Sequence, residues 1–117
     1  MQHAKIVFEV RRANAGASIV DVQGELTSAA EQALMDAYTQ ASANGVRTII
    51  LNFNGLEYMN SSGIGLLVTL LIRINRQKQR LLAYGLSEHY QHIFELTRLN
   101  EAIGMYETES DALAATT

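Results

Sequence analysis

The segment Leu56-Glu57-Tyr58-Met59-Asn60-Ser61-Ser62-Gly63-Ile64-Gly65-Leu66-Leu67 holds the residues best placed for chemistry. Asn60, Ser61 and Ser62 are three helix-capping types in a row, where one cap suffices. Gly63 and Gly65 each cost a helix roughly 1 kcal/mol against alanine. Their small size implies that something approaches the backbone closely. A hydroxyl at a helix N-terminus is a good phosphate acceptor, because the product dianion meets free backbone N–H groups and the positive end of the helix dipole. Phosphorylation there adds about -1.5 to -2 charge at neutral pH and changes what can dock beside it. The plainer reading is a serine that only starts a helix.

Other candidate chemistries are weaker. His89, His92 and Glu95 share one face of a helix, but no second cluster completes a metal site, so no metal is expected. Arg73, Arg76, Lys78 and Arg80 form the one basic run, at a helix C-terminus where cations suit the dipole. No aromatic platform flanks it, so direct nucleic-acid binding is not expected. Ser62 sits in no Gly-x-Ser-x-Gly elbow and has no histidine near it in sequence, which argues against a catalytic nucleophile. Gly63-x-Gly65 lacks the third glycine and later acid of a dinucleotide site, and no Gly-Lys-Ser/Thr phosphate loop is present. No cofactor and no enzymatic activity are therefore expected.

The elements around this segment read as an α/β domain. Residues 5–11 alternate as a strand with Ile6, Phe8 and Val10 on the drier face, and residues 13–17 form a turn. Residues 18–25 pair back as a hairpin with Val20 and Val22 inward, ended by Gly24. Thr27 or Ser28 caps a helix, with Glu31 at capping-box spacing from Ser28. That helix buries Ala30, Leu34, Ala37, Tyr38 and Ala41 and stops at Asn44-Gly45. Residues 48–53 are a strand buried on both faces, broken by Asn54-Gly55. A long helix follows Ser61 or Ser62 and runs to about Gln79. Residues 81–84 make another buried strand, parallel to 48–53. Residues 88–98 are helical with Ile93, Leu96 and Leu99 inward. Residues 103–107 form a last strand, and Ser110 or Asp111 starts a terminal helix packed through Ala112 and Leu113. The order β-β-α-β-α-β-α-β-α gives one domain over 1–117, a mixed sheet with helices mainly on one face.

In the long helix, Ile64, Leu67, Leu70, Leu71 and Ile74 make one inward stripe, while Leu66, Val68 and Ile72 lie off it. A small domain has difficulty burying a helix on all sides, so the first half of this one is expected to present a face to a partner. The chain is 117 residues long, 48% hydrophobic and 18% charged, with a net charge of -3 and no cysteine. That composition fits a folded domain in a reducing cytoplasm and excludes disulfides and thiolate chemistry. The longest apolar run, Ile64 to Ile72, is too short to cross a membrane, and the N-terminus has no signal-peptide core.

These motifs resemble a STAS domain, and specifically the bacterial anti-sigma factor antagonists. The resemblance spans almost the whole chain. It rests on Tyr58 to Gly65 after the buried strand, Gly24-Glu25-Leu26, Tyr84-Gly85-Leu86, and Phe94-Glu95-Leu96-Thr97-Arg98-Leu99. It implies a switch rather than a catalyst. The serine directly before glycine, Ser62 here, would be phosphorylated by an anti-sigma factor that is a serine kinase, with Ser61 the lesser candidate. A PP2C-like serine phosphatase would remove the phosphate. The unphosphorylated form would bind the anti-sigma factor and free the sigma factor. The partner surface would comprise Thr27, Asn60, Ser61, Ser62, Gly63, Ile64, Gly65, Leu66 and Val68, and a weak homodimer is compatible with it. Two positions depart from the family pattern: Asn60 stands where the motif usually has Asp, and Thr27 where an Asp often follows Gly-Glu-Leu. Loss of the carboxylate beside the acceptor hydroxyl predicts slower phosphorylation. Asn60 also motivates a second reading, a STAS scaffold of a larger stress-signalling or lipid-transport assembly that is never phosphorylated. A third, a small nucleotide-binding protein or enzyme using the 60–65 loop, rests on the loop's position alone.

Overall fold

The computed structural model describes residues 6–116. Lys5, with which the first expected strand begins, lies outside the described residues. Strands β1 (Val7–Asn14), β2 (Ala17–Leu26), β3 (Thr48–Met59), β4 (Arg80–Tyr84) and β5 (Gly104–Tyr106) form one sheet in the order β1-β2-β3-β4-β5. β1 and β2 are an antiparallel hairpin, and every later pairing is parallel. Helices α1 (Glu31–Ala41), α2 (Ser61–Arg76), α3 (Glu88–Leu96), α4 (Leu99–Ala102) and α5 (Glu109–Ala114) complete the chain.

Period-two alternation sends the two sets of strand side chains to opposite faces. Val20, Val22, Ile49, Leu51, Leu81 and Ala83 meet α1 to α4 in the main core. Ile19, Ile50, Leu82 and Tyr84 point the other way and are covered by Ala112 of α5. The expected mixed sheet, with helices mainly on one face, is therefore the observed one. A short α4 interrupts the expected run into β5.

Three expectations are corrected. Asn54-Gly55 does not break the third strand. β3 continues to Met59 and absorbs two extra residues as register shifts against β2, one after Asp21 and one after Gly24. Bulges of this kind keep a strand paired while changing its course. Gly24 likewise does not end β2. Its φ of 105° lets the strand bend and run on to Leu26. Leu96 is not inward but 71% exposed, because the chain leaves the helix at Thr97 and turns through Arg98 at φ 64°. Phe94 fills the core instead, edge-on to Phe53 with centroids 6.4 Å apart.

Candidate functional site

The extra length of β3 carries its end past β4 and delivers Asn60 to the start of α2. Pairing with β4 stops at Asn52 opposite Tyr84, so beyond that point β3 has no strand on that side. Two side chains take over. Asn52 Oδ1 accepts from Asn54 N at 3.0 Å, and the Tyr90 hydroxyl of α3 accepts from Met59 N at 2.9 Å. On the other side, Leu26 pairs with Met59, and the Leu26 carbonyl accepts a long bond from Asn60 N at 3.4 Å. The two residues before the helix are thus held, Met59 from α3 and Asn60 from β2.

Asn60 is the N-cap. Its backbone is extended and its Oδ1 accepts from Gly63 N at 2.9 Å. Of the three capping types in a row, the amide is the one used, which leaves both serine hydroxyls out of the cap. Ser61 and Ser62 are exposed in the first helical turn, where backbone N–H groups have no intrahelical acceptor. No acidic residue occupies that turn.

The two glycines have different reasons. Gly63 is buried, and a Cβ there would collide with the Leu26 carbonyl oxygen and lie 3.0 Å from Met59 Cγ. The close approach inferred from sequence is therefore the end of β2. Gly65 is exposed, with nothing within 4 Å of where its Cβ would be. No contact within the described residues accounts for its small size.

Along α2, Gly63, Leu66, Leu67, Leu70 and Ile74 are buried, and Ile64 and Leu71 are half-buried against the core. Leu66 is only 8% exposed, which corrects its placement off the inward stripe and on the partner surface. Val68 and Ile72 are 40% and 47% exposed. With Gly65 they continue an outward line from Ser61 and Ser62, since positions three and four apart share a helix face. Tyr58, 47% exposed, lies just before the cap.

Thr27 follows Leu26 and so stands at the same end. Its hydroxyl accepts from Ala29 N and caps a single 3-10 turn before α1. Thr27, Asn60, Ser61, Ser62, Gly63, Ile64 and Gly65 come together there, whereas Val68 lies a turn or more further along α2. His89, His92 and Glu95 do not converge. His89 meets the edge of Tyr90, and no group of three metal-ligating residues forms among the described residues. No described helix is long and apolar enough to cross a membrane.

Sequence reasoning missed two features. One is the Tyr90–Met59 tie, a contact 31 residues apart in sequence with no local signal. The other is a polar cluster on the α5 side of the sheet. Arg11 donates to both Asp21 oxygens at 2.7 and 2.9 Å and to Glu109 at 2.9 Å. Tyr84 donates to Glu109 at 2.7 Å, and Asn52 to Asp21 at 2.8 Å. The Arg11 guanidinium holds both carboxyls below their ordinary range, and burial, reinforced by Glu109, pushes the Tyr84 phenol up to about 12. Arg11 sits opposite Ile19, two residues from Asp21, so the hairpin register would have signalled the diagonal pair.

Residues 10–112 match the STAS domain family. The anti-sigma-B factor antagonist of Staphylococcus aureus (strain NCTC 8325 / PS 47) is 32% identical over 88 residues, which cover 75% of this chain and 82% of that protein. Among solved structures, an anti-sigma factor antagonist from Mycobacterium paratuberculosis superposes with a TM-score of 0.79 at 22% identity, over 95% of this chain and 93% of that one. The anti-sigma factor antagonist SpoIIAA in its unphosphorylated form gives 0.73 at 23%, over 94% and 97%. The Bacillus cell fate determinant SpoIIAA in the phosphorylated form gives 0.73 at 24%, over 95% and 100%. The chain belongs to the STAS domain family, among the anti-sigma factor antagonists. As such it is a regulatory protein and not an enzyme.

Proposed function

We propose that this chain is a partner-switching antagonist. Its unphosphorylated form binds a serine-kinase anti-sigma factor and thereby frees a sigma factor, and phosphate on Ser62 ends the binding. The observation that carries this reading is the exposure of Ser62 in the first turn of α2, beside the outward line Gly65, Val68 and Ile72. Existence of a phosphorylated form of SpoIIAA supports it by analogy. Asn60 lacks the carboxylate the motif usually has, yet its amide still caps α2 through Gly63 N and so leaves the Ser62 hydroxyl outside the cap.

The physics is sufficient for a switch. A phosphate dianion at Ser62 would be pressed into an interface beside Gly65 and, further along α2, Val68, at an end of the domain whose segments 24–31 and 54–62 supply no Lys or Arg. Desolvating such a charge without a cation costs several kcal/mol. A tenfold to hundredfold loss of affinity needs only about 1.4 to 2.8 kcal/mol. A PP2C-like phosphatase would restore binding.

Titration calorimetry with the cognate serine-kinase anti-sigma factor tests the proposal. Ser62→Ala should bind at least as tightly as wild type, and Ser62→Asp at least about tenfold more weakly. Equal binding by both variants would leave Ser62 as an ordinary surface residue of a constitutive scaffold and sink the switch.

A further inference from the structure

The two ends of the sheet carry opposite charge. At the end where the parallel strands begin, segments 12–18, 42–48 and 73–80 contain Arg12, Arg47, Arg73, Arg76, Lys78 and Arg80 and no Asp or Glu, while the segment leading into β5 adds Arg98 and Glu101, which pair with each other at 3.8 Å. They form one edge: Arg80 N bonds Arg47 O, Arg47 N bonds Gly16 O, and the Arg12 guanidinium reaches Ala43 O. At the opposite end, segments 24–31, 54–62, 85–88 and 107–111 contain Glu25, Glu31, Glu57, Glu88, Glu107, Glu109 and Asp111 and no Lys or Arg. Six of the nine Lys and Arg residues thus gather at the edge remote from Ser62, in a chain whose net charge is -3.

Nothing inside the fold accounts for the basic edge. None of the six cations makes an ion pair among the described residues. Arg12 and Arg80 donate only to backbone carbonyls. The negative end of the α2 dipole favours Arg73 and Arg76, but that effect fades beyond the last turn and does not reach Arg12 or Arg47. Two clefts flank the end of α2. One, of about 240 Å³, is lined by Tyr38, Arg73, Arg76 and Gln77. The other, of about 250 Å³, includes Asn75, Gln79 and Arg80. Each combines arginine with neutral amides, a donor set suited to carboxylates.

We propose that this edge is a second docking surface, and that its occupant is a short acidic segment of another protein that places carboxylates in the two clefts. Charge complementarity selects an anion, and the rest of the molecule selects its size. A long polyanion would also meet the field of the acidic end, whereas a short segment senses mainly charges within a Debye length of about 8 Å. β3 alone runs 12 residues from one end to the other, roughly 36–40 Å, so the two ends act separately. Single-stranded nucleic acid would want an exposed aromatic platform. Tyr38 is 7% exposed and its hydroxyl is engaged with Gln79. A bilayer would want clustered apolar anchors, whereas the exposed Ile72 and Leu96 stand on different helices, α2 and α3. The surface lies away from the Ser62 end, so the domain can hold one partner at each end of its sheet.

Fluorescence anisotropy with a fluorescein-labelled octapeptide of alternating Glu and Ser tests this, beside its Gln-for-Glu counterpart, a 20-base-pair DNA duplex and phosphatidylserine vesicles. The Glu peptide should bind at low salt and weaken at least about tenfold in Arg73→Glu/Arg76→Glu and in Arg47→Glu/Lys78→Glu. Gln23→Glu, exposed toward the opposite end of β2, should bind as wild type does. Thermal melts identify any variant that fails to fold, and two separate pairs keep the comparison intact. Absence of Glu-peptide binding to wild type overturns the proposal, as does equal binding by both reversed pairs. Tighter, reversal-sensitive binding of DNA or vesicles overturns it by assigning the surface to that ligand. Sedimentation at the same salt checks the remaining occupant: salt-sensitive self-association lost in the reversed variants would make it the acidic end of a second copy, contrary to the proposal.

Discussion

Alanine at Gly63 and at Gly65 should change stability in opposite directions, although the two glycines stand in the same two turns of one helix. At Gly63 the added methyl lands on the Leu26 carbonyl and 3.0 Å from Met59 Cγ. The carbonyl belongs to the strand end that also holds Asn60 N, so the methyl cannot be relieved by turning a side chain. Overpacking costs typically 1–3 kcal/mol, and a clash with a backbone carbonyl stands in the upper part of that range, about 2–3 kcal/mol, of which the gain in helix propensity returns about 1 kcal/mol. A net loss of about 1–2 kcal/mol is expected. At Gly65 the methyl meets nothing within 4 Å, so only the propensity term acts, a gain of about 0.8–1 kcal/mol. An unfolding entropy of about 2.1 cal/mol/K per residue makes 1 kcal/mol worth about 4 °C in a chain of 117 residues. Thermal unfolding followed by circular dichroism should therefore place Gly63→Ala about 4–8 °C below wild type and Gly65→Ala about 3–4 °C above it. A neutral Gly63→Ala would refute the claim that the end of β2 seats the start of α2. A destabilised Gly65→Ala would show that its small size serves the fold and not an approaching partner.

Three other outcomes follow from the same geometry. Tyr90→Phe removes only the acceptor for Met59 N, so hydrogen exchange at Met59 should quicken about tenfold while the melting temperature falls by only a few degrees, reflecting about 1 kcal/mol. Val68→Glu/Ile72→Glu should leave the melting temperature near wild type, since both positions are exposed, yet weaken anti-sigma factor binding at least about tenfold in calorimetry. In the polar cluster, Asp21 and Glu109 have folded-state pKa values below their unfolded ones, so their stabilisation is present above the ordinary carboxylate range and is lost as pH falls through it. Tyr84 is raised from 10.0 to about 12, so its contribution is complete below pH 10 and is lost as pH rises from there to 12. Urea titrations across pH should show both declines, and Glu109→Gln should flatten the acid one.

Most of the architecture was legible because local signals and tertiary packing agree. Ile49, Ile50 and Leu51 are buried on both sides of the sheet as a continuous apolar run demands. Asn44 and Gly45 take positive φ where a helix-stopping pair was expected. Errors arose where a neighbour overrode a local signal. Asn54-Gly55 reads as a turn in isolation, but β2 continues beside it and turns the irregularity into a bulge. Leu96 follows from extending one helical period across a break that only the Arg98 backbone reveals. Leu66 lies at the border of the buried face, where a small shift in helix orientation decides burial. The Ser62 position was legible because capping residues, glycines and the preceding strand are contiguous. The Tyr90 tie and the gathered basic edge were not, since each joins segments far apart in the chain.

The central claim is a phosphate at Ser62 that ends a complex. Its most direct test is to incubate the chain with its serine-kinase anti-sigma factor and ATP, map the phosphate by mass spectrometry, and follow the complex by gel filtration. Phosphate is expected on Ser62, none on the Ser62→Ala variant, and the complex should fall apart as phosphate accumulates. Phosphate on Ser61 alone, no phosphate at all, or a Ser62-phosphorylated chain that still co-elutes with its partner would contradict it.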